Sequence, residues 1–326
     1  MIAKAVIKRI FYSLVVLFLL ITFLFFLIRL APGNPADKFI SPKLNAELVH
    51  QTENSFGINE PLHVQYLKFV SSVFSGSLGI SYTYRIPVEK VVLQFLPFTV
   101  FFALTSFLLQ IFCSVLLALF SANKINKPVD KLLAASSLII YAVPSFFTGV
   151  FLIYIFSVQL NLFPSSGVSS FGNESFTWVE RLIDYSLHLI LPILTLSLSG
   201  AAMFYKYLRD EIEIEYQKPF VRFLKSHGYE EKVILRKHIL PNALNPFVSV
   251  AGVELGALLS GAVITEVIFG LPGMGRLTLE AVLSRDYPLV IGCTLASGVM
   301  VIAANLFADL VKAFLDKRTL QGGVLQ

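Results

Sequence analysis

The sequence predicts an all-α integral membrane protein with about six transmembrane helices. Three observations carry that reading. Of 326 residues, 56% are hydrophobic and only 14% charged, whereas a soluble domain carries roughly 25% charged residues. Too few charges remain to cover a water-facing surface, so the bilayer is part of the packing medium. The apolar residues also fall into six long runs of the size a helix needs, about 20 residues, to cross ~30 Å of hydrocarbon. Finally, the runs are continuous rather than alternating, which excludes a transmembrane β-barrel.

The first run, Ile10–Ile28, is longer than the usual signal-peptide core of about 7–15 residues. The following "IRLAPGNPADKF" offers no small-x-small cleavage site, so a retained helix is expected. Val91–Asn123 is the second run, with Pro97 expected near its start. Leu132–Phe163 is the third; it reads either as one tilted span or as a span plus an interfacial turn, with Pro144 as an expected kink. Tyr185–Tyr205 is broken only by His188, Asn242–Thr265 carries Glu254, and Tyr287–Ala308 is the last. Residues 1–30 thus form a first helix, 31–90 an external segment, 91–318 a five-helix core and 319–326 a tail.

Basic residues set the orientation. With the N-terminus inside, segments 1–9, 122–131, 206–241 and 309–326 hold 17 Lys and Arg in 73 positions, against 9 in 108 positions outside. Both termini are therefore expected in the cytoplasm. The net charge of +5 reports this asymmetry rather than a nucleic-acid partner. Cys113 and Cys293 lie within spans, so they make no disulfide framework. Cys and His show no ligand spacing, so no metal site is expected. No GxxxxGK[ST] loop occurs. His188, His227 and His238 are scattered without a nucleophile partner, which argues against an enzyme.

The most informative stretch is "FVRFLKSHGYEEKVILRKHILPNALNPF", residues 220–247, a charged connector between two greasy blocks. Pro219 predicts a helix break near Lys218. His227-Gly228 reads as a helix end capped by a left-handed glycine. Tyr229–His238 reads as a second short helix, with Glu230 and Glu231 in its first turn and Arg236, Lys237 and His238 in its last, as the helix dipole favours. Pro241 is expected to push Leu240 out of the α region and bend the chain. Val221, Phe223, Leu224, Tyr229, Val233 and Ile234 give the connector an apolar component that a solvated loop would not need.

This connector resembles the cytoplasmic loop signature of ATP-binding-cassette import permeases: EAA, three residues, Gly, nine residues, I-x-L-P. Gly228 is followed by nine residues and then His238-Ile239-Leu240-Pro241. Arg222-Phe223-Leu224 stands where the family has EAA, and "FVRFLKSHG" is similar to the form seen in the peptide/nickel branch. The rest of the chain matches in order: "APGNPADKF", "SGSLGISYTYRIPVEK", "GALLSGAVITEVIFGLPGMGRL", "SRDYPLVIG" and "NLFADLVKAFLDKR". The chain looks most like the first membrane subunit of dipeptide/oligopeptide/nickel importers.

The resemblance implies a type I importer permease fold in a bacterial cytoplasmic (inner) membrane. It implies a second homologous permease subunit, two ATPase subunits and an external solute-binding protein. No cofactor would be bound by this chain, with ATP and Mg held on the partners. Coupling to an ATPase would run through 220–241, with Arg222, Lys225, Gly228, Tyr229, Glu230, Leu240, Pro241 and Asn242 as its residues. Glu254, Gly256 and Glu266 are candidates for the pathway or the partner-permease interface. Gly252, Gly256, Ser260 and Gly261 form a small-residue stripe suited to close packing, with the partner permease as the expected neighbour. The cargo, a peptide, a nickel or other metal chelate, glutathione, a sugar or another solute, stays open. The alternative is an ion-gradient-driven secondary transporter, for which Glu254 is the main mid-span acid.

Overall fold

The computed structural model of the protein describes residues 2–30, 61–122, 124–125 and 127–315. The Pro32–Ala36 element, the rest of 31–60 and the tail 319–326 lie outside the described residues. In chain order the helices are α1 (Ile2–Leu30), α2 (Leu62–Phe74), α3 (Val88–Ala122), α4 (Pro128–Ala142), α5 (Ser145–Leu152), α6 (Trp178–Tyr216), α7 (Pro219–Ser226), α8 (Glu231–Ile234), α9 (Leu240–Leu259), α10 (Val263–Ile268), α11 (Met274–Leu283) and α12 (Tyr287–Leu315). Two π-helical turns, Ile153–Gln159 and Leu235–Ile239, extend α5 and join α8 to α9. Among the described residues, five stretches are long and apolar enough to cross a membrane, and one bent pair would make a sixth if it counts as one span.

That pair is the third run. Pro128–Ala142 and Ser145–Gln159 meet at 96° around Val143-Pro144. Proline lacks the N–H that would continue the helix and crowds the carbonyl four residues back. Each arm is only about 22 Å long at 1.5 Å per residue, so neither spans alone.

The central pair is α3 and α6. The buried face of α3 runs Thr99, Ala103, Ser106, Gln110, Ser114, Ala118 and Ser121, a small and polar stripe that lets two backbones approach closely. Gln110 Nε2 donates to the Leu196 carbonyl at 3.2 Å, and Ser197 Oγ donates to the Ser106 carbonyl at 3.2 Å. Gly200 makes room for this crossing: a Cβ there would lie 2.3 Å from the Gln110 amide carbon.

The start of α3 differs from expectation. It begins at Val88, and Pro97 lies inside the helix. The Val88 N–H is taken by the Gly79 carbonyl at 3.0 Å, in a turn closed by an antiparallel bridge between Ile80 and Pro87. Asp286 locks that turn to the start of α12, accepting from Ser81 Oγ at 2.6 Å and Thr83 N at 2.9 Å. A helix started in this way tolerates an internal proline where neighbouring helices shield the freed carbonyl.

Helix α6 is longer than the run that predicted it. Thr177 and Glu180 form a capping box at one end. At the other end, Lys206–Asp210 and Arg209–Glu213 pairs at i,i+4 support the helix after the apolar sequence has stopped. Helix α2 packs on α1 and α12 through Phe25, Phe69, Ile291 and Leu295. The ends of α1 and α12 are tied by an Arg9–Asp309 ion pair, and Lys312 Nζ donates to Ser249 Oγ of α9 at 3.0 Å. The described ends of the first and last helices therefore sit at the same end of the bundle as the charged connector.

Candidate functional site

The connector begins where α6 stops at Gln217-Lys218, and Pro219 occupies the first turn of α7, where its missing N–H costs nothing. Helix α7 is strongly two-faced. Val221 is buried and packs with Ile212, Ile234, Leu235 and Ile239, while Phe220 and Leu224 flank them. Arg222, Phe223, Lys225 and Ser226 face outward.

The helix ends in a two-bond left-handed cap. The Tyr229 N–H reaches the Leu224 carbonyl at 3.2 Å and the Gly228 N–H reaches the Lys225 carbonyl at 3.1 Å, with Gly228 at φ +78°. This is the Schellman arrangement, which needs a residue without Cβ strain at that position. A Cβ on Gly228 would meet nothing within 4 Å, so the glycine answers a backbone demand and leaves open space beyond it. Lys225 Nζ and Glu231 Oε1, 3.2 Å apart, bridge the turn. The Phe223 and His227 rings lie against each other, tilted by 40° with centroids 4.1 Å apart.

The eight expected coupling residues fall into two groups. Arg222, Lys225, Gly228, Tyr229 and Glu230 are exposed and contiguous around the turn. Leu240, Pro241 and Asn242 sit at the base of α9, and Leu240 is half-buried. The expected bend at Leu240 is absent: the residue is helical (φ −57°, ψ −46°) and donates its N–H to the Leu235 carbonyl. The π turn offers the reason, because its i→i+5 bonds re-space the carbonyls just before the proline. The chain from Glu231 therefore runs into the fifth span as one helical rod. Phe223, 60% exposed, and Tyr229, 51% exposed, are large apolar side chains set in a charged surface. Phe223 and its neighbour His227 were not among the expected residues; a phenylalanine on the outer face of so short a helix was the available signal.

Behind the connector lies a buried ion network that the sequence reading missed. Asp130 of α4 is fully buried. Arg209 of α6 grips it with two bonds, Nη2 to Oδ2 at 2.6 Å and Nε to Oδ1 at 3.1 Å. Ser121 of α3 also donates to Asp130 and lies 3.0 Å from the Tyr205 hydroxyl. Paired and hydrogen-bonded on all sides, the charges hold the ends of α3, α4 and α6 in one geometry.

Of the other three expected residues, two are engaged inside the chain. The Glu266 carboxylate is fully buried and accepts from the Arg276 N–H at 2.7 Å and the Ala262 N–H at 3.2 Å, tying the start of α11 to α10. Gly273 and Gly275 leave room for it: a Cβ on Gly273 would lie 2.3 Å from its carboxyl carbon. Gly256 lies against Val301 of α12, and Gly252 faces Ala308. The small-residue stripe thus serves α9–α12 packing within this chain, where a second subunit was the expected neighbour. Glu254, on the same helix, is half-buried and turned elsewhere.

Residues 114–321 match the family of binding-protein-dependent transport system inner membrane components, and residues 2–105 match the N-terminal domain of such membrane components. The chain is 31% identical over 317 residues to the oligopeptide transport system permease protein AppB of Bacillus subtilis, covering 97% of this chain and 99% of that one. It is 30% identical over 326 residues to the nickel import system permease protein NikB of Staphylococcus aureus, covering 99% and 94%. Among solved structures, an amino acid ABC transporter shares the fold at TM-score 0.53 and 16% identity, over 69% of this chain and 94% of the other. The MetNI methionine ABC transporter does so at TM-score 0.53 and 13% identity, over 70% and 97%. With both parts of the chain matched in order, this multi-pass protein belongs to the family of binding-protein-dependent transport system inner membrane components.

Proposed function

We propose that this chain is one permease subunit of an ATP-driven importer, assembled with a second permease, two ATPase subunits and an external solute-binding protein. Its cargo is a peptide or a nickel-type chelate, as the names of AppB and NikB suggest. The connector 220–241 docks on an ATPase, the termini lie in the cytoplasm, and ATP with its Mg stays on the partner subunits.

The observation that carries the docking role is the shape of the turn. Phe223 and Tyr229 stand exposed on a surface whose backbone is fixed by the Gly228 cap and whose underside is buried. Exposed aromatics on a rigid base suit an interface hot spot. The turn also joins two long helices directly, so a rigid-body movement of a docked partner would reach both. The ion-gradient-driven alternative finds no support in the relatives named above.

The test is assembly. This chain, affinity-tagged and purified from its native membrane, is expected to bring two P-loop polypeptides and a second permease. The reconstituted complex is expected to hydrolyse ATP faster when the loaded binding protein is added, and Tyr229→Ala is expected to lower ATPase retention. Transport by this chain alone in liposomes would overturn the reading.

A further inference from the structure

Among the described residues, most buried carboxylates of this chain are satisfied within it; Glu89 Oε2 and Glu215 Oε2, both at helix ends, are buried without a hydrogen-bond partner. Asp130 is held by Arg209 and Ser121. Asp184 accepts from Ser170 N at 2.8 Å and Ser170 Oγ at 2.6 Å. Glu266 takes two backbone N–H groups, and Asp286 takes Ser81, Thr83 and the Leu289 N–H. Glu254 differs. Among the described residues, no hydrogen bond or ion pair reaches its carboxylate, and it lies inside the apolar run 242–265.

Its position sharpens the contrast. Glu254 is near the centre of the apolar run 242–265, about 18 Å along α9 from Asn242 and five residues before the helix ends at Leu259. Three sides of α9 are already used. Gly252 and Gly256 meet α12, Ala243, Phe247 and Ala251 join the cluster containing Phe204, and Leu255, Leu258 and Leu259 pack with Ala103 and Ala304. The remaining side carries Val253 and Ala257, both exposed, and Glu254 lies at its edge. Hydrocarbon is a hostile neighbour for a mid-span carboxylate, because nothing there replaces the water that solvates its charge. A face that keeps one is built to meet water or a cation.

Resting on the permease reading above, we propose that Glu254 is a cargo-facing carboxylate in the translocation path and that it receives a positively charged group of the cargo. An ionised carboxylate offers acceptors only, so its complement is an ammonium, as at the free end of a peptide, or the cation of a metal chelate. Rings of acidic side chains select cations in pores by the same electrostatics. Val253 and Ala257 make the rest of the wall smooth and weakly binding, which suits release.

The test first reads charge without needing the native cargo. Ala257→Cys, one turn beyond Glu254, is placed in the assembled complex with Cys113→Ala; Cys293 is fully buried and stays. The cysteine is titrated with a cationic trimethylammonium-ethyl and an anionic sulfonatoethyl methanethiosulfonate. The cationic reagent is expected to react faster, and Glu254→Gln to lower the cation-to-anion rate ratio about tenfold or more, since the reagents feel the carboxylate with opposite sign. Uptake of trialanine, N-acetyl-trialanine and a nickel–histidine chelate then separates the two sources of charge. Glu254→Gln is expected to lose the cationic probe that the parent complex carries, and Glu254→Asp to keep it. An unchanged ratio, or no reaction with either reagent, overturns the proposal. Loss of the second permease from the Glu254→Gln complex also overturns it, by making Glu254 an interface residue. None of these outcomes touches the permease reading, which fails separately if the parent complex shows no binding-protein-stimulated ATP hydrolysis.

Discussion

Replacing Gly228 by valine isolates the backbone of the connector from everything else. In the native turn the residue sits at φ +78°, held there by the Gly228-to-Lys225 and Tyr229-to-Leu224 bonds at 3.1 and 3.2 Å. A new Cβ would meet nothing within 4 Å, so no clash inside the chain adds to the cost. What remains is the left-handed penalty for an L-residue, about 1–2 kcal/mol. That is too small to unfold a bundle with several buried clusters, so membrane abundance and pairing with the second permease are expected to stay near normal. It is large enough to favour an opened turn in the undocked chain by a factor of roughly 5–30, and the apparent affinity for the ATPase subunit drops by the same factor. Binding-protein-stimulated ATP hydrolysis, titrated against ATPase subunit in proteoliposomes, reads it out. Gly228→Asn is the control, because asparagine tolerates the left-handed region while adding bulk; it is expected to behave nearly as the parent. Unchanged titration in Gly228→Val refutes the docking role. Equal damage from Asn and Val would locate the effect in bulk at the interface and refute the strain argument.

Other outcomes follow from the same structure. Asp130→Ala removes the two-bond partner of Arg209 but leaves it paired with Asp210 and Glu213, and the stability of the detergent-purified complex is expected to fall by about 1–3 kcal/mol. The double change Asp130→Leu with Arg209→Met is expected to recover much of that loss; a double variant as unstable as the single would show that the network is more than a charge pair. For orientation, Ser165→Cys is expected to react with an impermeant maleimide on intact cells, and Lys218→Cys, also exposed, only after permeabilisation. The opposite pattern would invert the topology.

What could be read in advance was what is decided locally. Hydropathy marks the spans because every residue in a run contributes to the same sum. Pro219 and His227-Gly228 mark the turn because proline and glycine constrain their own backbone. Decisions that depend on distant residues were not legible. The α3 stripe from Thr99 to Ser121 has helical spacing, yet serine in an apolar run looks neutral until Gly200 and Gln110 are seen to interlock. Likewise, Gly252 and Gly256 announce close packing without naming the neighbour. Asp130 and Arg209 are 79 positions apart and read as two solvated charges. Pro241 failed as a break because the π turn before it, which no local signal marks, adjusts the backbone to receive it.

That π turn has a mechanical consequence. A true bend at Leu240 would have made the connector and the fifth span two bodies with a joint, and motion at the surface would have been dissipated there. Instead Glu231 and Glu254 belong to one continuous lever, about 35 Å long for the 23 residues between them at 1.5 Å each. Tilting such an arm by about 10° about its surface end carries the far position through ~6 Å, about the breadth of a small hydrated cation, in the range of rigid-body rotations that switch other assemblies. The geometry would convert a modest swing at the membrane surface into a full open-or-closed displacement at the bilayer centre.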